Sequence, residues 1–340
     1  MKYEDAGVSL ERSDESLRRI RRHVESTFNN LVVGEFGHFG GAIALPGGDP
    51  KAPLLVASID GVGTKVLVAR QAGRYAEVAG DIVRHGANDC VVLGARPLFF
   101  LDYAAWGRLD PAAMEELVRG LAEACRAEGC VLLGGETAEM PDLYPPGEFD
   151  LAGCMVGYVD RAQHLDGSAI RPGDAIWALP STGLHTNGYS LARRLLFETA
   201  GLTLDASLPG VPGTVADALL APHRSYTRAA LALVERRLAR GFVHVTGGGI
   251  SGNLVRVLPE GCRGRLRRDS WTLPPLFERL QEIGGGSWEE MERTFNLGAG
   301  FLIVLEPERE AQALEILRSL HERPWKLGAV EAGAPGAEWA

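Results

Sequence analysis

A run of apolar residues, 54–59, ends abruptly at the segment Asp60-Gly61-Val62-Gly63-Thr64-Lys65. Glycines allow backbone N–H groups to turn inward and surround phosphate oxygens. Lys65 can add a point charge to a phosphate, and the carboxylate of Asp60 can hold Mg²⁺ together with waters and phosphate oxygens. The segment lacks the P-loop spacing. By itself it is compatible with a phosphate site or with a tight turn that exposes a lysine.

Four polar residues lie on the next segment with a helical pattern, residues 77–93. Asp81, His85, Asn88 and Asp89 are spaced so that they share one side of that helix. Much of the same helix is apolar, so a polar stripe on it needs partners. Either a metal–phosphate site or a hydrogen-bonded core network provides them, and the spacing alone favours the network slightly.

Carboxylates and glycines occur together again in Gly134-Gly135-Glu136-Thr137-Ala138-Glu139-Met140-Pro141, which follows a short predicted strand. Open α/β sheets place their sites in loops at strand ends, so we expect this segment to be such a loop. Asp102 lies inside the apolar run 99–103. A carboxylate there either is capped structurally or lines a groove, and the sequence does not distinguish these alternatives.

Two glycine-rich segments in the second half of the chain carry histidines. They are Ser181-Thr182-Gly183-Leu184-His185-Thr186-Asn187-Gly188-Tyr189-Ser190 and His244-Val245-Thr246-Gly247-Gly248-Gly249. Polar groups flanked by glycines before a helix N-terminus suit anion binding. A single histidine is more often structural than catalytic, but two of them beside glycine loops favour ligand contact. The glycine–aromatic segment 36–41 either closes over a ligand or is a flexible connection.

The elements that must position these segments alternate between strands and helices. The apolar patterns predict strands at 54–59, 97–103, 130–133, 149–159, 175–179, 243–245, 301–305 and 325–330. They predict helices at 77–93, 111–127, 189–198 and 222–240, a further helix that ends at 320, and a loose tail over 331–340. Asp, Gly, Ser and Pro accumulate over 160–173, which indicates a domain boundary. A chain of 340 residues accommodates two domains, and the fold class is α/β or α+β.

Composition excludes several classes of function. The net charge of −9 provides no field that attracts nucleic acid or an anionic membrane. No apolar stretch reaches the length of a membrane span, and residues 1–12 lack the apolar run of a signal peptide. The five cysteines contain no CxxC pair, which suggests neither a disulfide framework nor a zinc site. We therefore expect a cytoplasmic protein without nucleic-acid or membrane partners.

Taken in order, these motifs resemble those of the phosphoribosylformylglycinamidine cyclo-ligase (aminoimidazole ribonucleotide synthetase) family. The resemblance begins at Tyr3-Glu4-Asp5-Ala6-Gly7-Val8 and ends at Phe295-Asn296-Leu297-Gly298, so it covers nearly the whole chain. Between them lie the segments already named and Pro97-Leu98-Phe99-Phe100-Leu101-Asp102-Tyr103. Any one of these motifs is weak support, whereas this many in one order is strong support.

The resemblance implies an ATP- and Mg²⁺-dependent enzyme that closes the imidazole ring of aminoimidazole ribonucleotide. It implies a homodimer in which N-terminal mixed-sheet domains pair through their strands into a barrel-like core. Residues 1–165 are then the ATP-binding and dimerisation domain, and residues 166–340 are an α/β layer that binds formylglycinamidine ribonucleotide. In this chemistry ATP phosphorylates the formyl oxygen, the neighbouring nitrogen attacks, and phosphate leaves.

The resemblance also implies roles for particular residues. The expected contacts to ATP are Asp60, Gly61, Val62, Gly63, Thr64, Lys65, Asn88, Asp89, Gly135, Glu136 and Thr137. Asp60, Asp89 and Glu136 are the expected Mg²⁺ ligands. The expected substrate contacts are Asp102, Ser181, Thr182, Gly183, His185, Asn187, Thr246, Gly247, Gly248 and Gly249. The expected catalytic residues are Lys65, Asp60, His185 and His244, either histidine being able to move a proton.

Departures from the family pattern are local. Residues 83–89 are more polar than the apolar stretch expected there, and Thr186 replaces a common serine. Related enzymes with the same architecture fit less well: a selenophosphate synthetase is expected to carry a reactive cysteine near its start, and here no cysteine precedes Cys90. A hydrogenase-maturation dehydratase is expected to end in cysteine, and a thiamine-phosphate kinase to lack two of the motifs. A nucleotide sensor would not need the second set of glycine loops.

Overall fold

The structure is a computed structural model that describes residues 2–47, 49 and 51–340; Met1, Gly48 and Pro50 lie outside the described residues. It contains two six-stranded sheets, one in each half of the chain, with helices packed against them. The predicted two-domain fold of strands and helices is confirmed. Among the described residues, no helix combines the length and apolar character needed to cross a bilayer.

The first sheet is mixed and has the order β1-β2-β3-β6-β4-β5, with β4 and β5 parallel and the other pairs antiparallel. Its strands are β1 Val32–Val33, β2 Gly41–Ala44, β3 Leu54–Gly61, β4 Arg96–Trp106, β5 Val131–Glu139 and β6 Phe149–Val159. Its helices are α1 Leu10–Glu25, α2 Lys65–Ala72, α3 Tyr75–Val92 and α4 Pro111–Glu128. The described strands form an open sheet and do not close into a barrel.

Helix α3 covers one face of this sheet and is itself almost entirely buried. Its closest approach is at Gly86, where an added Cβ would lie 2.8 Å from Cβ of Met155 on β6. The opposite face is uncovered and apolar. Ile59 and Leu133, on β3 and β5, are 74% and 61% exposed. The N-terminal sheet therefore has one face in the protein core and one exposed face that carries large apolar side chains.

The second sheet has the order β12-β9-β11-β7-β10-β8, with β12 parallel to β9 and the other pairs antiparallel. Its strands are β7 Ala175–Pro180, β8 Ala239–His244, β9 Cys262–Leu266, β10 Ala299–Leu305, β11 Trp325–Ala332 and β12 Ala337–Trp339. Its helices are α5 Tyr189–Arg193, α6 Val215–Leu219, α7 Thr227–Glu235, α8 Gly249–Val255, α9 Pro275–Gly284, α10 Trp288–Thr294 and α11 Glu310–Ser319. Every residue of the inner strand β10 is buried.

Local signals fixed several elements well. The predicted strand at 149–159 is β6, and the predicted helix at 111–127 is α4. Helix α4 begins where expected because the Asp110 side chain accepts hydrogen bonds from the backbone N–H groups of Ala112 and Ala113. It ends at Gly129, which adopts the left-handed conformation of a C-cap.

The predicted long helix over 222–240 is wrong at both ends, because α7 covers Thr227–Glu235 alone. At the start, the backbone N–H groups of His223 and Tyr226 donate to side chains of α3 instead of entering a helix. At the end, Arg237 has φ +54°, a left-handed conformation that stops the helix before β8.

Two further predictions are corrected. The segment from Gly134 to Glu139 is part of strand β5 and is not a loop, because β4 pairs with it along its whole length. The C-terminal tail is ordered, since β12 pairs with β9. The Trp339 indole also packs against those of Trp271 and Trp288.

Candidate functional site

The glycine turn joins the end of β3 to the start of α2. Gly63 has φ +68°, which favours glycine, and buried Val62 anchors the turn in the core. The side chain of Asp60 remains 48% exposed, and its Oδ1 accepts a hydrogen bond from the N–H of Gly61 at 2.7 Å. Thr64 Oγ1 lies 3.2 Å from Ser190 Oγ of the second domain. The turn thus presents one carboxylate to solvent at the domain junction.

Lys65 points away from this exposed carboxylate into the interior. Its Nζ lies 2.6 Å from Asp81 Oδ2, and both side chains are fully buried. The same ammonium donates to the carbonyl oxygens of His185 at 3.0 Å and Ala221 at 3.1 Å, in the second domain. Burial lowers the pKa of Lys65, but the Asp81 carboxylate outweighs burial and raises it. The geometry therefore supports a buried ion pair within the first domain, whose lysine also hydrogen-bonds the second domain, and not the predicted phosphate contact.

The four polar residues of α3 share one side of the helix, as their spacing predicted. That side faces the second domain. His85 Nε2 lies 2.9 Å from Asp60 Oδ2 and 3.5 Å from Asp89 Oδ2. Burial lowers the pKa of His85, but these two carboxylates outweigh burial and raise it to about 9. The stripe is a hydrogen-bonded network that includes the glycine turn through Asp60.

The network continues across the junction through Asp89. Its Oδ1 accepts a hydrogen bond from His244 Nδ1 at 2.8 Å, and its Oδ2 accepts one from Ser58 Oγ at 3.0 Å. His244 Nε2 in turn lies 3.0 Å from Nε2 of His223. Burial lowers the pKa of both histidines. Asp89 therefore connects β3, α3 and β8 at one point.

His185, on the first glycine-rich loop of the second domain, is also inside this junction. Its ring stacks on His223 with centroids 4.1 Å apart, and its Nε2 accepts a hydrogen bond from the N–H of Thr182 at 3.3 Å. Burial, together with the nearby His244 and Lys65, holds the pKa of His185 well below its usual range. The ring is therefore a neutral acceptor at Nε2.

The remaining residues of these loops are positioned by two asparagines. Asn296 accepts from Ser181 Oγ at 3.0 Å and donates to the Gly183 carbonyl at 2.8 Å. Asn253 Nδ2 donates to the carbonyl oxygens of Thr246, Gly247 and Gly249, at 2.8–3.2 Å. This clamp holds the backbone of the second glycine-rich loop.

Asn187, on the first glycine-rich loop, faces the second. Its Oδ1 is 3.4 Å from where a Cβ on Gly247 would be placed. Gly248 and Gly249 both have positive φ, which favours glycine at these positions. The two loops predicted to bind substrate are therefore neighbours in the second domain.

The structure brings Asp60 and Asp89 together and places Glu136 elsewhere. Oxygens of the two aspartates lie with a nitrogen of His85 in a group whose atoms are within 4.8 Å of one another. Glu136 pairs across the sheet with Tyr103, in the row that contains Gly61 and not Asp60. It is therefore on the other face of the sheet, and three strand spacings, about 14 Å, separate it from Gly61.

Asp102 and Gly135 occupy the row of Asp60 but near the edge of the sheet. A Cβ on Gly135 would lie 2.2 Å from Asp102 Oδ1, so this position requires glycine. Burial raises the pKa of Asp102. Thr137 follows on the same edge strand, opposite Ala104. Within one chain, Asp102, Gly135 and Thr137 therefore lie apart from the carboxylates of Asp60 and Asp89 at the domain junction.

A large cleft of about 1220 Å³ opens beside the junction. It reaches Ser58, and Gly247 and Gly248 of the clamped loop form part of its wall. Basic side chains face it from both domains: Arg18, Arg21, Arg256, Arg268 and Arg293. The carboxylates of Asp14, Glu35, Glu289 and Glu292 also line it, so its arginines exceed its carboxylates only slightly, and those that are not paired can contact an anionic ligand.

Sequence reasoning missed four residues that organise this region: Asp81 as the partner of Lys65, and His223, Asn253 and Arg256. Arg256 donates to the carbonyl of His38 at 2.8 Å and lies 3.8 Å above the ring of Phe39. It holds the glycine–aromatic segment against the second domain. Asp81 was visible in the polar stripe, and His223 lay inside the predicted helix over 222–240. Asn253 and Arg256 lie in α8 and at its C-cap, where the sequence pattern predicted no helix.

The sequence matches two family descriptions. Residues 43–159 match "AIR synthase related protein, N-terminal domain", and residues 171–339 match "AIR synthase related protein, C-terminal domain". A phosphoribosylformylglycinamidine cyclo-ligase of Myxococcus xanthus is 47% identical over 331 residues, which cover 97% of this chain and 96% of that protein. The cyclo-ligase of Geobacter sulfurreducens is 45% identical over 337 residues, covering 99% and 97%.

Solved structures share the fold at low sequence identity. A crystal structure of a protein from Thermus thermophilus has a TM-score of 0.68 at 21% identity and covers 95% of each chain. The structure described as "AaThiL complexed with AMPPCP and TMP" has a TM-score of 0.67 at 15% identity and covers 98% of this chain and 95% of that chain. At these identities the likeness concerns the fold alone.

Replacing Asp81 with asparagine tests the buried ion pair between Lys65 and Asp81. The Asp81→Asn variant keeps an acceptor for the His223 N–H but leaves the Lys65 ammonium buried without a countercharge. We expect the free energy of unfolding to fall by about 3–5 kcal/mol. Urea denaturation of the purified protein measures this change.

A double variant and a surface control complete the Asp81 experiment. Lys65→Met with Asp81→Asn removes both charges and should restore a large part of the lost stability. Glu15→Gln breaks an exposed ion pair on α1 and should leave the midpoint nearly unchanged. The assignment fails if Asp81→Asn shifts the midpoint no further than Glu15→Gln does.

Proposed function

This chain belongs to the AIR synthase related family, and we propose that it is a cyclo-ligase that closes the imidazole ring of 5-aminoimidazole ribonucleotide. The observation that carries the proposal is its high identity to named cyclo-ligases over nearly the full length of both chains. The resemblance seen in the sequence motifs is thereby confirmed at the level of the family. The activity is that of an ATP-dependent, carbon–nitrogen bond-forming ligase of purine biosynthesis.

The glycine turn is the part of the site that we assign to the phosphates of ATP. Its Gly61 and Gly63 allow the backbone to approach phosphate oxygens closely, and Thr64 adds a hydroxyl. AMPPCP is present in the AaThiL structure that shares this fold. Lys65 anchors the turn on its buried side, because its Nζ contacts Asp81 and donates to two carbonyl groups of the second domain.

Mg²⁺ is the metal ion that we assign to the carboxylate side of the turn. Asp60 fits a hard cation because its carboxylate is exposed beside the glycines. Asp89 lies within reach of the same ion, although His244 and Ser58 engage its oxygens. In a single chain, the edge strand β5 holds Gly135, Glu136 and Thr137 away from this ion. Mg²⁺ would supply charge neutralisation for the phosphates.

The cleft is where we place formylglycinamidine ribonucleotide. Gly247 and Gly248 offer backbone groups in its wall, and Arg256, Arg268 and Arg293 supply positive charge for a phosphate. The loop from Ser181 to Asn187 supports this wall from the junction side. His185 and His244 are fully buried, so the geometry favours a positioning role for both rings over proton transfer to a ligand.

The proposed chemistry requires activation of a poor leaving group. ATP transfers its γ-phosphoryl group to the formyl oxygen, and ADP is released. The neighbouring nitrogen of the substrate attacks the formyl carbon, the C–O bond breaks, and phosphate leaves with that oxygen. The protein's task is to align the two substrates and to stabilise the negative charge that develops.

A coupled assay tests the reaction directly. With formylglycinamidine ribonucleotide, ATP and Mg²⁺, we expect one ADP for each aminoimidazole formed. ADP release without aminoimidazole would replace the proposal with a kinase or dehydratase activity. Absence of ATP consumption by the folded protein would favour a nucleotide sensor.

Asp60→Asn tests the metal–phosphate assignment. Because half-exposed Asp60 contributes charge at the turn more than packing, we expect turnover to fall by about 100-fold or more while thermal unfolding changes little. The dependence of the rate on Mg²⁺ concentration should shift to higher concentrations. Asp205→Asn, at an exposed carboxylate in the second domain, is the matched control. Full turnover and unchanged metal dependence in Asp60→Asn would refute the assignment.

The uncovered face of the N-terminal sheet supports a homodimer. Leu101 and Leu133 are exposed on β4 and β5, and β5 is the edge strand. Pairing this face with its copy would bury the apolar side chains and close the two open sheets into a shared barrel-like core. We place the enzyme in the cytoplasm, where its five free cysteines suit a reducing compartment.

Leu133→Lys tests the dimer. A lysine in the centre of this face would be buried without a countercharge on association, so we expect the mass in sedimentation velocity to drop from dimer to monomer. Val255→Lys, at an exposed position of the second domain, should leave the mass unchanged. A wild-type monomer, or a Leu133→Lys protein that stays dimeric, would contradict the proposed interface.

A further inference from the structure

Three buried histidines from different segments converge at the domain junction. His85 lies on α3 of the first domain, whereas His223 precedes α7 and His244 ends β8 in the second. One ring nitrogen from each lies within 4.8 Å of the others. We propose that these imidazoles form a binding site for a divalent transition-metal ion of the zinc class, which joins the two domains.

The protons available to His223 and His244 do not satisfy their contact. Asp89 fixes a proton on Nδ1 of His244, which leaves a lone pair on its Nε2. Asn88 accepts from the Tyr226 N–H, so its Nδ2 is the group that donates to the Arg224 carbonyl and faces Nε2 of His223 at 3.1 Å.

An Asn88 N–H directed at His223 Nε2 requires a lone pair there as well. Two lone pairs then face each other across the 3.0 Å between His223 Nε2 and His244 Nε2. Moving a proton onto His223 Nε2 relieves this contact but sets N–H against the Asn88 N–H. While Nε2 of His244 carries a lone pair, either neutral tautomer of His223 leaves one contact unfavourable, and a cation shared by the two Nε2 atoms, either a proton or a metal ion, relieves the contact between the rings.

The spacing and type of the donors select the ion. Two imidazole nitrogens on a tetrahedral Zn²⁺ are about 3.3 Å apart when each Zn–N bond is about 2.0–2.1 Å. The Nε2 atoms of His223 and His244 are 3.0 Å apart, so a small movement of one ring would bring them to that spacing. Neutral imidazoles prefer Zn²⁺, Co²⁺, Ni²⁺ or Fe²⁺ to Mg²⁺. The site therefore differs in chemistry from the oxygen ligands assigned to Mg²⁺.

The histidines are already oriented by groups on their outer sides. Asp89 holds His244 through Nδ1, in the carboxylate–histidine arrangement that is common around bound zinc. Asp60 holds His85 through Nε2 at 2.9 Å, so Nδ1 of His85 is the nitrogen left for an ion. At present Thr186 Oγ1 occupies that nitrogen at 2.8 Å, and it is a small group that rotates away easily.

Cobalt binding by the full-length, untagged protein tests this site. The protein is stripped with a chelator and titrated with Co²⁺ alone, whose visible d–d bands report nitrogen coordination. We expect one equivalent to bind, Zn²⁺ to displace it, and excess Mg²⁺ to leave it in place. Because the readout is metal binding, it is independent of turnover and of the proposed reaction.

Two variants on different domains keep the test decisive if one fails to fold. His223→Gln and His85→Met should each weaken Co²⁺ binding by about 100-fold or more. His23→Gln, at an exposed histidine of α1, should bind as the wild type does. Zn²⁺ should also raise the melting temperature of the wild type and not of the two variants. Absence of stoichiometric binding, or binding that both variants leave unchanged, would overturn the proposal.

Discussion

The fold depends on burying the polar side of α3 between two domains. Charges removed from water are tolerated only when each is paired and hydrogen-bonded. Here Asp81 meets Lys65, and Asp89 meets His244 and Ser58. The Asp89–His244 contact and the hydrogen bonds of Lys65 to the carbonyl oxygens of His185 and Ala221 cross the junction, so burial of these charges and docking of the second domain depend on each other.

The same pairings position the chemistry. Lys65 and Asp60 belong to one turn, but the lysine is drawn inward by Asp81 while the aspartate faces outward. Lys65 therefore joins the turn to the second domain on the buried side, while the side that carries Asp60 is open to solvent. The clamped glycine loop, held by Asn253, reaches the cleft from the other side. The glycine turn and the clamped loop are close to each other because the domains share one buried network.

The two faces of the first sheet have different surroundings. One face packs on α3 with glycine contacts too close for any other residue, as at Gly86. The other carries apolar side chains such as Ile59 and Leu133 in solvent. The carboxylates Asp60 and Glu136 fall on different faces because side chains alternate along a strand. Glu136 therefore shares the uncovered apolar face of the sheet and lies apart from the carboxylates of the junction.

The sequence by itself determined the strands and helices whose patterns are local, such as β6 and α4, and the ordered motifs that identify the family. It also placed Asp81, His85, Asn88 and Asp89 on one helix face, because that follows from helical periodicity. Only the tertiary structure decided that Lys65 pairs with Asp81 and that His223 leaves an apparent helix to join the network. The physical reason is that local spacing encodes a residue's direction, whereas its partner lies on another element. That element is the preceding helix for Asp81 and Lys65, and a segment 142 residues away for Asp81 and the His223 N–H.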